Sequence, residues 1–251
     1  MSLTFQQQLS AAAHKAMPHA NPLSVAQMNR LVEIAVAHAP HKALEVGCGP
    51  GSFAIALAKD VPVAVTALDI NEDFLARART AAGAESIKGS IYFHNRDAAT
   101  FSGELFDLVV CIGSSQAFGT PAQAVAYLST LLRDGGLLIF ADLNWSSAPP
   151  QEFLSVLGVP EDFYWSKREE MAPFVAAGLS LHHTLRASPE SWQSYEEGIL
   201  TGRMTFAKTL PPAQAEQVRH RAFSWFSAFE KHGCSCLGFD AYVAQKPVSN
   251  S

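Results

Sequence analysis

The run Ala43-Leu44-Glu45-Val46-Gly47-Cys48-Gly49-Pro50-Gly51 has the make-up of a loop that binds a small ligand through its backbone. Gly47 permits a tight turn. Gly49 leaves room where a Cβ would block close approach, and Gly51 lets the following helix begin close against the strand. Glycines also serve plain turns, but here further chemistry aligns with them. Asp69 ends the next apolar segment, where a carboxylate can accept both hydroxyls of a ribose. Asp97 follows the third such segment, near the expected place of a base. Phe106 to Gly113 ends in a glycine that leaves space beside a ligand. The spacing is E-x-G-x-G-x-G rather than the G-x-G-x-x-G that seats a pyrophosphate on a helix N-terminus. With Glu45 at the strand end, the loop suits a ligand carrying an ammonium and no phosphate. Both features count against an NAD-dependent dehydrogenase.

Groups able to move a proton are few. Asp142 ends the fifth strand, as a base or as a turn carboxylate. His182 and His183 are adjacent on a strand, so they should face opposite sides, one exposed and one packed; His183 is the second candidate base. Gln116 and Phe118 directly follow the fourth strand, where a ligand would lie. Trp145, Tyr164, Trp192 and Tyr195 are candidates for an acceptor pocket, in competition with ordinary core packing. Glu196 and Glu197 read as a solvated helix face. Cys48 and Cys111 sit in apolar segments, where buried thiols are common. Cys234 and Cys236 would face one side of a strand. No second ligand pair accompanies them, so no metal site is expected.

These residues need a framework of alternating strands and helices. Ser24 and Gln27 form a capping box opening a helix that stops near Pro40. Strands follow at 43–46, 62–68, 90–94, 106–112 and 137–141, with helices at 51–59, 72–82 and 121–133. Asp134-Gly135-Gly136 reads as a turn. Such alternation implies a parallel sheet with right-handed crossovers. Beyond Asn144 come a proline-rich connection, a helix at 167–177 and a sixth strand at 179–187. Helices at 189–208 and 212–232 and a last, antiparallel strand at 235–245 complete the chain. Residues 1–23 show no strong pattern, and the tail after Pro247 should fray. The organisation expected is one domain over 1–251, with a binding core at 24–145, substrate-side elements at 146–234 and the last strand at 235–246. All four tryptophans fall in the second part, as packing or as a helical cover over the sheet edge where ligands bind.

With 251 residues the chain can bury a core without disulfides. Its charged fraction is 16%, against about 25% in ordinary domains, and its net charge is −5. No Lys/Arg cluster follows a phosphate backbone, so nucleic-acid binding is not expected. No apolar run reaches the roughly 18 residues of a membrane span, and no basic amphipathic helix marks membrane contact. The first twenty residues lack a signal-peptide core, so a cytoplasmic location is expected.

The strings ALEVGCGPG, ALDIN, RDA, FDLVVCIGS and LLRDGGLLIFAD resemble those of the class I S-adenosylmethionine-dependent methyltransferases. The resemblance is specific over roughly residues 24–145 and continues more loosely through element order. It implies an α/β fold, a Rossmann-like, doubly wound, seven-stranded, mostly parallel sheet with an antiparallel last strand, plus a helical substrate cover. It also implies S-adenosylmethionine as cofactor. Gly47, Gly49 and Gly51, with Glu45 and Cys48, would line its methionine part. Asp69 would hold the ribose and Ile70 would cover one adenine face. Asp97, with Ala98 beside it, would accept the adenine amino group. Cys111, Ile112 and Gly113 would lie beneath the sulfonium, with Gln116 close by.

CIGSSQAFG and SWQSYEEG are similar to a bacterial small-molecule branch whose core is like that of the ubiquinone and menaquinone methyltransferases. Members often carry a histidine where Gln116 stands, so a histidine-based role is not implied at this position. The implied partner is a small-molecule methyl acceptor, and the chain would work alone or as a homodimer. Methyl transfer from a sulfonium leaves a neutral sulfur, so alignment in a closed pocket, worth ~7–11 kcal/mol in favourable systems, carries most of the effect. The alternative is a non-catalytic S-adenosylmethionine-binding sensor or partner subunit.

Overall fold

The computed structural model describes residues 3–248. Seven strands form one sheet: β1 (Lys42–Val46), β2 (Ala64–Asp69), β3 (Ser90–Asn95), β4 (Phe106–Ile112), β5 (Leu132–Trp145), β6 (Ser180–Arg186) and β7 (Leu237–Gln245). Their order is β3-β2-β1-β4-β5-β7-β6. β1 to β5 pair in parallel, and β7 runs antiparallel to both β5 and β6. The order reverses between β1 and β4, so the loops after these strands open a crevice at the sheet's C-terminal edge. β4 and the middle of β5 are apolar and buried, as central strands covered on both faces should be.

Helices cover both faces. α1 (Phe5–Ala13), α2 (Val25–Ala37), α3 (Ser52–Asp60), α4 (Glu72–Gly83) and α5 (Pro121–Ser129) belong to the first part. α6 (Gln151–Leu157), α7 (Ala172–Ala176), α8 (Pro189–Ala207) and α9 (Pro212–Ala228) belong to the second. Ser24 and Gln27 close the expected capping box on α2.

Several boundaries differ from the sequence reading. Residues 1–23, read as patternless, contain α1, whose Thr4 and Gln7 form a capping box. β5 begins at Leu132 and takes in the expected turn, because Leu132 pairs with Phe106 and the residues between form an irregularity. Gly135, at φ +77°, supplies the left-handed residue there. The helix expected at 167–177 shrinks to α7, because the chain at Ser166 bridges in parallel to Trp145 and Lys167 N–H donates to the Trp145 carbonyl. β7 starts at Leu237. Cys234–Cys236 is a helical turn, so the thiols do not share a strand face: Cys234 is exposed and Cys236 buried. The tail expected to fray after Pro247 lies, apart from Val248, outside the described residues. Among the described residues, no helix is long and apolar enough to cross a membrane.

Candidate active site

The glycine loop leaves β1 and enters α3. Gly51, at φ +80°, stands at the helix N-cap without a side chain to cap it. Glu45 supplies the missing acceptor from the strand end, its Oε2 receiving the Ala54 N–H at 3.1 Å. Burial is the main reason this carboxyl is pushed up to about 8, with Asp69 adding to it and the Ala54 bond opposing. Gly47 has a tertiary cause: a Cβ there would stand 1.9 Å from Ser114 Oγ, in the loop after β4. Gly49 differs, for its Cβ would meet nothing within 4 Å, leaving the backbone open to a ligand. Gly51 lets the helix begin close against its neighbours, for a Cβ would meet Ala78 of α4 at 2.9 Å and Phe93 of β3.

Asp69 closes β2. One carboxylate oxygen accepts the Gly49 N–H and the other the Asn71 N–H, each at 2.8 Å. It thus ties the loop after β2 to the glycine loop. Burial raises its pKa against these bonds. Ile70 leaves its side chain 57% exposed at the rim, an apolar surface ready to be covered. Asp97 accepts the Ala99 N–H and starts a short 3-10 turn.

These residues border a cleft of about 700 Å³. Glu45, Gly47, Cys48, Gly49, Asp69, Ile70, Asp97, Ala98, Ile112, Gly113 and Gln116 all line it. Gly51 and Cys111 do not; Cys111 is fully buried behind the β4 end. Burial pushes the Cys48 and Cys111 thiols up, so neither is a poised thiolate.

A second cavity of about 270 Å³ adjoins it. Asp142, Tyr164, Trp192 and Tyr195 line this one, and Gly113, Gln116, His14 and Tyr195 border both. Asp142 is 6% exposed. Its Oδ1 accepts the Leu143 N–H, its Oδ2 has no hydrogen-bond partner, and burial raises it to about 6.

Three expected site residues stand away from both cavities, and Glu196 has another setting than expected. His183 is exposed on edge strand β6, as is His182; a bulge between Leu181 and His183 breaks the alternation that would have buried one of them. His183 borders neither cavity. His183→Ala should therefore change stability by less than about 0.5 kcal/mol and leave turnover unaltered, read by thermal melting and a methyl-transfer assay. Trp145 is buried against Tyr164 and donates Nε1–H to the Glu161 carbonyl. Phe118 stacks on Tyr127, with ring centroids 4.9 Å apart. Neither borders a cavity. Glu196, read as solvated, is buried; its Oε2 accepts Trp225 Nε1–H at 2.6 Å, and it lines the second cavity.

The sequence reading missed His14, Arg203 and the role of Glu196. His14 follows α1 directly. Its Nδ1 lies 2.8 Å from the Ser10 carbonyl and so carries the hydrogen; Nε2 is left to accept the Tyr195 hydroxyl at 3.0 Å. Burial lowers its pKa, with Arg203 and Arg77 adding to that. Trp192, Tyr195, Glu196, Ile199 and Arg203 line one face of α8, a helical spacing that was legible as a stripe. Among the described residues, no group of three His, Cys, Asp or Glu is placed to hold a metal.

The first cleft fits a nucleoside sulfonium better than a dinucleotide. Asp69 and the buried Glu45 carboxyl border the glycine loop, and a bound ammonium would favour the charged form of Glu45, whereas a diphosphate would oppose it. Gly49 leaves its backbone free and Ile70 offers an apolar face.

Residues 43–136 match the family model described as a methyltransferase domain. The chain is 26% identical over 157 residues to the uncharacterized Escherichia coli protein YjhP, covering 61% of this chain and 63% of that one. It is 33% identical over 132 residues to the ubiquinone biosynthesis O-methyltransferase of Thiobacillus denitrificans, covering 52% and 54%. The chain thus spans between half and two thirds of the length of these curated relatives. In structure it is similar to a Thiobacillus denitrificans S-adenosylmethionine-dependent methyltransferase solved with S-adenosylhomocysteine. The TM-score is 0.84 at 22% identity, covering 97% of this chain and 99% of that one. Residues 43–136 thus match a methyltransferase domain, and the whole chain shares its fold with a solved S-adenosylmethionine-dependent methyltransferase.

Proposed function

We propose that this protein binds S-adenosylmethionine in the larger cleft and methylates a small molecule held in the second cavity, acting in the cytoplasm. The observation that carries the reading is the junction of the two cavities at Gly113, Gln116, His14 and Tyr195. Both cavities open to solvent; the second is the smaller and has aromatic rings among its walls. When bound, the cofactor supplies an activated methyl group on a positively charged sulfur.

The chain's own residues supply position and a proton acceptor. Asp69 accepts the ribose hydroxyls, Asp97 and Ile70 flank the base, and Glu45 faces the ammonium. The aromatic walls exclude water and orient the acceptor, which makes alignment the main contribution. Asp142 is the candidate base. Tyr195 offers a second route as a relay: its hydroxyl passes its proton to His14 Nε2, 3.0 Å away, as its oxygen takes the proton of the acceptor.

Calorimetric titration with S-adenosylhomocysteine and turnover with an acceptor panel test the reading. No binding would overturn it; binding without turnover on any acceptor would favour the sensor alternative. Asp142 works as a base only when ionised. With its pKa near 6, kcat/KM should fall as pH drops through about 6. Asp142→Asn should remove that acid limb and cost ~10²-fold or more at pH 7.5, read from a pH–rate profile.

A further inference from the structure

Three buried polar atoms without partners belong to residues that border the second cavity: Asp142 Oδ2, Trp192 Nε1 and Arg203 Nε. Native proteins leave few such groups, and each one asks for a partner. Two are donors and one is an acceptor. Asp142 and Trp192 are each 6% exposed, so bulk water does not satisfy them.

The charges point the same way. Asp142, Glu196 and one guanidinium, Arg203, all line the cavity. Glu196 already accepts from Trp225; Asp142 accepts the Leu143 N–H through Oδ1 and has Ser115 beside it, while its Oδ2 makes no close hydrogen bond of its own. Tyr164, Tyr195, Trp225 and Phe239 supply ring faces, which attract a cation. At about 270 Å³ the space equals about nine waters of liquid volume, which sets a small ligand.

We infer that the acceptor is a small zwitterion of the amino-acid class, its amine set against Asp142 and the rings, its carboxylate against Arg203 and Trp192. The inference rests on the proposed function and names the substrate class for the same site. A carboxylate accepts from both donors at once, and the guanidinium fork suits it. A neutral phenol can donate to Asp142 and accept from a donor, but it brings no charge to set against either Asp142 or Arg203.

The test is calorimetry on protein saturated with S-adenosylhomocysteine. The panel is amino acids of increasing side-chain size, the matching amines without a carboxylate, the matching acids without an amine, and neutral phenols. At least one amino acid should bind tenfold or more tighter than its amine and its acid. Arg203→Gln should bring amino acid and amine together; Asp142→Asn should bring amino acid and acid together. Both variants should keep wild-type affinity for S-adenosylhomocysteine, since neither residue borders the larger cleft. Phenols binding as well as amino acids, or no amino acid binding to the loaded protein, would overturn this inference alone. Failure of S-adenosylhomocysteine to bind would overturn the proposed function and this inference with it.

Discussion

Asp69→Ala should lower the affinity for S-adenosylhomocysteine by about 100-fold or more in a calorimetric titration. A hydrogen bond to a charged group contributes about 1.5–3 kcal/mol, and two ribose hydroxyls would share this carboxylate. The loss extends further, because the same carboxylate holds the Gly49 and Asn71 N–H groups at 2.8 Å. Without it the glycine loop and the loop after β2 lose their common anchor, and their N–H groups need water. Asp69→Asn separates the two effects. Its amide oxygen can still accept from one backbone N–H, so its melting temperature should stay nearer the wild type while cofactor affinity still falls. Unchanged affinity in Asp69→Ala would show that the ligand does not sit across β2.

The second large effect should come from outside either cavity. Gly202 lies on α8 where α1 crosses it, and a Cβ there would stand 2.4 Å from the Ala13 carbonyl oxygen and 2.7 Å from its Cα. These are backbone atoms, so no rotamer relieves the clash, and overpacking of this kind costs about 1–3 kcal/mol. Gly202→Ala should therefore push the end of α1 off α8 and carry His14 away from Tyr195, with the sheet intact. The expected result is a loss of methyl transfer of at least about tenfold, weaker S-adenosylhomocysteine binding, and faster trypsin cleavage at exposed Lys15. Wild-type turnover in this variant would mean that α1 plays no part in the site.

The site divides cleanly into what local chemistry specifies and what packing specifies. Glu45, Gly49, Asp69, Asp97 and Gly113 each stand at or just after the end of one strand. A parallel sheet brings all such ends to one edge, so recognising the strands was enough to assemble the cleft. The glycine spacing and the acidic residues beside it carried the expectation of an ammonium rather than a phosphate. Neighbours far along the chain add to some expectations and overturn others. Gly47 and Gly51 are small because of Ser114, Ala78 and Phe93, not only because of their own turn. The bulge in β6 left both histidines in solvent, which no period-two pattern foretells.

The sequence by itself determined the alternation of strands and helices and the glycine loop and acidic residues at the strand ends, because each depends on residues near one another in the chain. Only the tertiary structure decided the acceptor side. α1 has little pattern of its own and is placed by contacts with α8, so His14 meets Tyr195 across 181 positions. Glu196 looks like any surface carboxylate until α9 lays Trp225 against it. Burial of a polar side chain is a property of what covers it, and that cover comes from segments whose own sequence carries no mark of the partner they will meet.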